Sequence, residues 1–122
     1  MKKLIPILLA AVTCCSVCQL SFAQQNTVKK FGWEMGVQTY SFRTVPFLDA
    51  VDKTKALGLK YVEGYPGQDI GGGISGKMDY HMDAVTRGKI LKALLKKGMK
   101  MVSYGVVVPE TDADWKILFD FA

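Results

Sequence analysis

The pentapeptide Gly58-Leu59-Lys60-Tyr61-Val62 returns 40 residues later as Gly98-Met99-Lys100-Met101-Val102. Each copy follows a run with helical apolar spacing and opens a β-rich run. Glycine ends a helix in the left-handed conformation at low steric cost. The next apolar side chain can then tuck under a sheet while the lysine stays in water, and the strand begins in the same register both times. One helix-to-strand corner is therefore built twice. With the runs on either side, the order reads βαβαβα, which predicts an α/β fold with a parallel sheet and helical crossovers.

The first strand is expected over Met35–Phe42, and the first helix over Pro46–Leu57 with Phe47, Ala50, Val51 and Leu57 at helical spacing. Pro46 suits a first turn, where its missing N–H is not needed, and Gly58 suits the left-handed stop. The second strand reads as Leu59–Glu63. A second helix follows at Ala84–Lys97, with Val85, Leu91, Leu94 and Leu95 on one side, and Gly98 closes it. Met99–Val108 supplies a third strand. Thr111 is a good N-cap for a third helix whose Trp115, Leu118, Phe119 and Ala122 share a face.

The N-terminus reads differently. Met1–Ala23 starts with Lys2 and Lys3, continues through the apolar run Leu4–Val12 and ends in Ser21-Phe22-Ala23. That is the pattern of a secretory signal peptide, with cleavage expected after Ala23. The run is short of the roughly 20 residues a bilayer span needs, so no stable membrane association is expected after cleavage. The localisation implied is periplasmic or secreted. Residues 24–32 read as a flexible leader and residues 33–122 as the folded domain. All three cysteines, Cys14, Cys15 and Cys18, fall in the removable segment, which excludes disulfides and thiolate chemistry from the mature chain. Without Lys2 and Lys3 the chain carries 14 basic and 11 acidic residues, too mild an excess to point to nucleic acid. The lysines of the predicted helices lie on polar faces and in last turns, where they complement the helix dipole.

Three parallel strands laid side by side with right-handed crossovers put all their helices on one side. In an eight-stranded barrel the bare side becomes the filled interior. The expectation is therefore the first three βα units of a (β/α)8 TIM barrel, about three-eighths of a domain of roughly 250 residues. The segments Gly36-Val37-Gln38-Thr39-Tyr40-Ser41-Phe42, Ala56-Leu57-Gly58-Leu59-Lys60-Tyr61-Val62-Glu63 and Lys97-Gly98-Met99-Lys100-Met101-Val102-Ser103 resemble the opening strands of the xylose isomerase-like barrels, the sugar phosphate isomerase/epimerase group. The resemblance covers most of the mature chain. It implies a sugar substrate, proton transfer beside a carbonyl, and a divalent metal (Mn, Mg or Zn) held by Glu, Asp and His residues of later strands that this chain does not contain. One departure stands out: where many relatives place His at the end of the third strand, this chain has Tyr104 and Gly105.

Period-two alternation then names the inward side chains. Gln38 and Tyr40 are placed inside, either hydrogen bonding sugar hydroxyls or filling the barrel mouth. The repeat aligns Tyr61 with Met101 and Glu63 with Ser103. A carboxylate is easier to place facing a polar pocket than a helix layer, so Glu63 points inward with Ser103 beside it. Glu63 is the candidate catalytic group, with an ordinary ion pair as the alternative. Gln38, Tyr40, Tyr65, His81 and Ser103 are candidate substrate contacts. The segment Gly64–Tyr80 holds six glycines, more than a tight βα connection requires, and reads as a mobile active-site cover. It does not end in a phosphate-loop pattern. His81 stands beside Asp79 and Asp83 at a spacing no specific metal site uses; no metal ligand is assigned.

The function expected is that of an exported sugar isomerase or epimerase, with no activity from the 122-residue chain itself. The alternatives are a noncatalytic exported carbohydrate-binding barrel and an endonuclease-type phosphodiesterase of the same superfamily. The second of these uses several early-strand histidines to hold zinc, and this chain has one histidine.

Overall fold

A computed structural model describes residues 30–122. The expected signal peptide, its cleavage site and residues 24–29 of the expected leader lie outside the described residues. The chain divides into two units, with the boundary between residues 34 and 35. In the first, the described residues 30–34 turn at Phe31–Gly32 and bring the rings of Phe31 and Trp33 to 5.8 Å.

The second unit contains β1 (Gly36–Gln38), α1 (Phe47–Ala56), β2 (Tyr61–Gly64), β3 (Asp69–Gly71), β4 (Ile74–Lys77), α2 (Ala84–Lys97), β5 (Lys100–Tyr104) and α3 (Asp112–Phe121). Strands β1, β2 and β5 form a parallel sheet in that order, and β3 pairs with β4 as a separate antiparallel ribbon. The α/β class and the parallel order match the sequence pattern. The partial TIM barrel does not: this is a small α/β fold of a three-stranded sheet plus a hairpin, with the helices interleaved.

The physical reason lies in Gly64–Tyr80. Far from covering a site, this segment pairs with itself and buries Gln68, Ile70 and Met78. Its backbone closes through Gly67 N–H to Met78 O at 2.9 Å and Met78 N–H to Gln68 O at 2.7 Å. Gln68 Nε2 donates to Val45 O at 2.9 Å, tying the ribbon to the lead-in of α1. The glycines at its tip answer two demands. Gly71 is left-handed (φ +76°), and a Cβ there would lie 2.4 Å from Pro46 Cβ; at Gly72 (φ +60°) it would lie 2.6 Å from Leu48 Cδ1. A side chain at Gly71 would push the hairpin off the start of α1, whereas at Gly72 the end of Leu48 could swing aside.

The core is one cluster: Phe47, Leu48 and Val51 of α1, Val62 of β2, Ile70 and Met78 of the ribbon, Ile90 and Leu94 of α2, and Met99 at the entry to β5. Helix α1 starts after Pro46 and ends before the left-handed Gly58, as its sequence indicates. Thr54 is buried inside it because its hydroxyl donates to Ala50 O at 2.9 Å. Asp83 caps α2, accepting from Thr86 N–H at 2.8 Å, and Gly98 (φ 68°) closes it. The Thr86 hydroxyl and backbone hydrogen bonds hold the Asp83 carboxyl below the usual aspartate range. Thr111 caps α3, accepting from Asp114 N–H at 3.2 Å.

Three local expectations need correction. β1 stops at Gln38, and Thr39–Phe42 wind into a 3-10 turn whose Thr39 is buried, where the aromatic and β-branched run predicts one long strand. β5 ends at Tyr104, short of Val108. On α2 the core takes Ile90 and Leu94, while Val85, Leu91 and Leu95 face out, and Leu57 at the end of α1 is exposed too. More apolar residues share these helices than the small sheet can cover.

Candidate functional site

The ladder of the parallel sheet sets three side chains in one row. Gln38 pairs in register with Glu63, and Glu63 with Ser103. Gln38 Nε2 donates to Glu63 Oε1 at 2.6 Å, and Ser103 Oγ donates to Glu63 Oε2 at 2.8 Å. Each carboxylate oxygen thus holds one donor and keeps lone-pair capacity for another. Charge-assisted bonds of this kind fix a side chain more firmly than neutral ones. Gln38 Nε2 also approaches Gly105 O at 3.4 Å.

Glu63 and Ser103 stand opposite one another, as the internal repeat implies, whereas Tyr61 pairs with Lys100 and Val62 with Met101. The ladder slips by one residue between Val62 and Glu63. A bulge of this sort re-aims side chains. Here it lets Met101 pack against the core while Ser103 meets Glu63.

Beside this row lies an open cavity of about 380 Å³ lined by Gln38, Tyr40, Tyr65, Pro66, Gly105 and Val106. Tyr40 sits in the 3-10 turn just past β1 and Tyr65 just past β2, with their rings edge to face at 5.2 Å. The Arg43 guanidinium rests over the Tyr40 ring at 5.1 Å from its centre. The cavity therefore joins aromatic faces to one amide, with the carboxylate one hydrogen bond behind it. Pro66, Gly105 and Val106 also form its walls, beyond the residues the sequence pattern names. They follow strands β2 and β5 directly, and that position at the carboxyl end of a parallel strand was the available signal.

His81 is not part of this constellation. Its Nδ1 lies 3.2 Å from Asp79 Oδ1 and its Nε2 3.1 Å from Asp114 Oδ1, and its ring lies tilted against Tyr80 with centroids 4.1 Å apart. It bridges the loop before α2 to the first turn of α3. Both ring nitrogens face carboxylates, the Asp114 bond foremost, and this raises the imidazole above its ordinary value of 6.5. The Thr111 hydroxyl first, and then His81, hold Asp114 low. A raised histidine contributes its stability in full below the unfolded value and loses it as pH rises through the folded one. Thermal melts at pH 5.5 and pH 9 should therefore show the wild type losing more stability toward high pH than His81→Gln. Equal slopes would contradict this. Tyr104, at the end of β5, donates its hydroxyl to Met78 O at 3.2 Å; burial pushes its phenol up to about 12. It is a latch between β5 and the ribbon.

The residues do not fit a metal ion. Among the described residues no group of three or more His, Cys, Asp or Glu is placed to hold one, and the partners of Glu63 are an amide and a hydroxyl.

No family model matches the chain, and no curated protein matches it. Its fold is similar to a known crystal structure. That structure is of an uncharacterized protein from Parabacteroides distasonis ATCC 8503, with a TM-score of 0.69 at 25% identity over 73% of this chain. The chain spans 38% of the length of that protein. The likeness concerns architecture and carries no activity with it. Among the described residues no helix is long and apolar enough to cross a membrane.

Proposed function

We propose that the carboxyl end of the parallel sheet recognises a sugar, in an exported protein of the isomerase or epimerase type whose proton-exchanging group is Glu63. The observation that carries this reading is the Gln38–Glu63–Ser103 row set beside the Tyr40–Tyr65 pair. Sugars present hydroxyls around an edge and C–H groups on their faces. A carboxylate with spare acceptor capacity and an amide carbonyl answer the first, and tyrosine rings answer the second. Gln38 turns its N–H₂ toward Glu63, which leaves its carbonyl for a ligand hydroxyl. In proton transfer beside a carbonyl, Glu63 would take the proton from carbon and return it to the neighbouring carbon on the same face while the substrate's hydroxyl proton passes to the former carbonyl oxygen; inversion would need water on the opposite face to return the proton.

The test is an NMR titration with free aldoses, ketoses and their phosphates, followed by incubation in D₂O. Binding is expected to perturb resonances of Tyr40 and Tyr65. Gln38→Ala should weaken it roughly tenfold, the worth of one or two ligand hydrogen bonds. Deuterium entering the sugar beside its carbonyl, and falling by about 10²-fold or more in Glu63→Gln, supports the proton-exchange role. Sugar binding without exchange assigns the site to recognition alone. Failure of every sugar to bind removes the reading.

A further inference from the structure

We propose that a second copy of this chain docks on the outer faces of α2 and α3, the aromatic stripe of one copy's α3 seating in a notch on the other copy's α2. This goes beyond the sugar site and does not depend on it. On α2, Val85, Leu91 and Leu95 are 68%, 52% and 77% exposed. They flank Gly88, where a side chain would meet nothing within 4 Å. The spacing 85, 88, 91 and 95 keeps all four on one side of the helix, so the glycine leaves a dent between apolar walls. On α3, Trp115 and Phe119 stand one turn apart with their rings stacked at 6.0 Å, 42% and 72% exposed. Single exposed apolar residues are ordinary, but a lined dent and a stacked aromatic pair are contact features. Aromatic anchors in recesses are where interface energy concentrates.

Charge selects the occupant. Helix α2 carries Arg87, Lys89, Lys92, Lys96 and Lys97 and no acid. Lys97 pairs with Asp52 at 2.5 Å, and Arg87 donates to Asp120 O at 3.1 Å. Lys89, Lys92 and Lys96 make no ion pair among the described residues, nor do Glu110 and Asp112 at the start of α3. The recess has a basic rim and the aromatic stripe an acidic approach, so each copy supplies what the other's α2 lacks. A partner used reciprocally in this way forms a closed two-fold dimer.

Sedimentation velocity on the purified protein over a concentration series should show a monomer–dimer equilibrium that weakens as salt is raised. Gly88→Leu discriminates best. It fills the dent while improving the helix and adding apolar surface, so Tm should rise while the dimer weakens about tenfold. Association equal to or tighter than wild type in this variant overturns the proposal. Lys92→Glu and Asp112→Lys should each weaken the dimer, and combining them should restore it. Failure of the pair to recover association overturns the reciprocal docking, as does a monomer at every concentration or growth beyond the dimer. Circular dichroism confirms the fold of each variant.

Discussion

Phe47→Ala is expected to remove about 3–5 kcal/mol of stability, the usual consequence of emptying a buried aromatic site. Phe47 is fully buried at the start of α1 and belongs to the core cluster with Val62, Ile70 and Leu94. It therefore touches the layer that joins helix, sheet and ribbon. A unit of this size holds in total about 5–13 kcal/mol. The variant should unfold at a much lower urea midpoint and lose most of its cooperative transition near body temperature. The proposed sugar site should fail with it, because α1 is entered through the turn that carries Tyr40. A loss below about 1 kcal/mol, the range of surface changes, would show that the ribbon and α2 form a core without this side chain.

Gly71→Ala should cost about 2–5 kcal/mol although it adds one methyl group. Two separate terms contribute. An alanine in the left-handed region pays about 1–2 kcal/mol, and a Cβ placed 2.4 Å from Pro46 Cβ forces the ribbon and α1 apart at an overpacking cost of about 1–3 kcal/mol. The comparison that isolates the second term is Gly73→Ala. Gly73 is also left-handed (φ +78°), but a side chain there meets nothing within 4 Å. It should show the conformational cost alone. Urea unfolding of both variants measures the difference at constant m-value. Equal losses would mean that the hairpin tip is not seated on α1.

These two expectations mark where the sequence was and was not legible. The ends of α1 and α2 were readable because each carries its own chemistry: Pro46 and Gly58 at one helix, Gly98 at the other. The repeat aligns Glu63 with Ser103, and these do pair, but it also aligns Tyr61 with Met101, where the one-residue slip sets Lys100 opposite Tyr61 instead. The role of Gly64–Tyr80 is not legible in the sequence, because glycine abundance looks the same whether it confers mobility or permits close approach. Which of the two applies depends on Pro46 and Leu48, distant in sequence and adjacent in space. His81 was grouped with sugar contacts by its proximity to the loop, yet its partners include Asp114, 33 residues away.

The chain by itself determined the α/β class, the parallel order and the two glycine-closed helices, because periodicity and capping are local properties written in neighbouring residues. Only the tertiary structure decided that the connection after β2 is a core hairpin instead of a cover and that the assembly is a small sheet-plus-ribbon fold instead of a barrel arc. It also decided that Gln38, Glu63 and Ser103 share hydrogen bonds while His81 serves α3. Those outcomes depend on competition for a limited apolar interior and on a one-residue slip in the ladder. Both are settled by contacts between segments, and no local pattern records which segment wins.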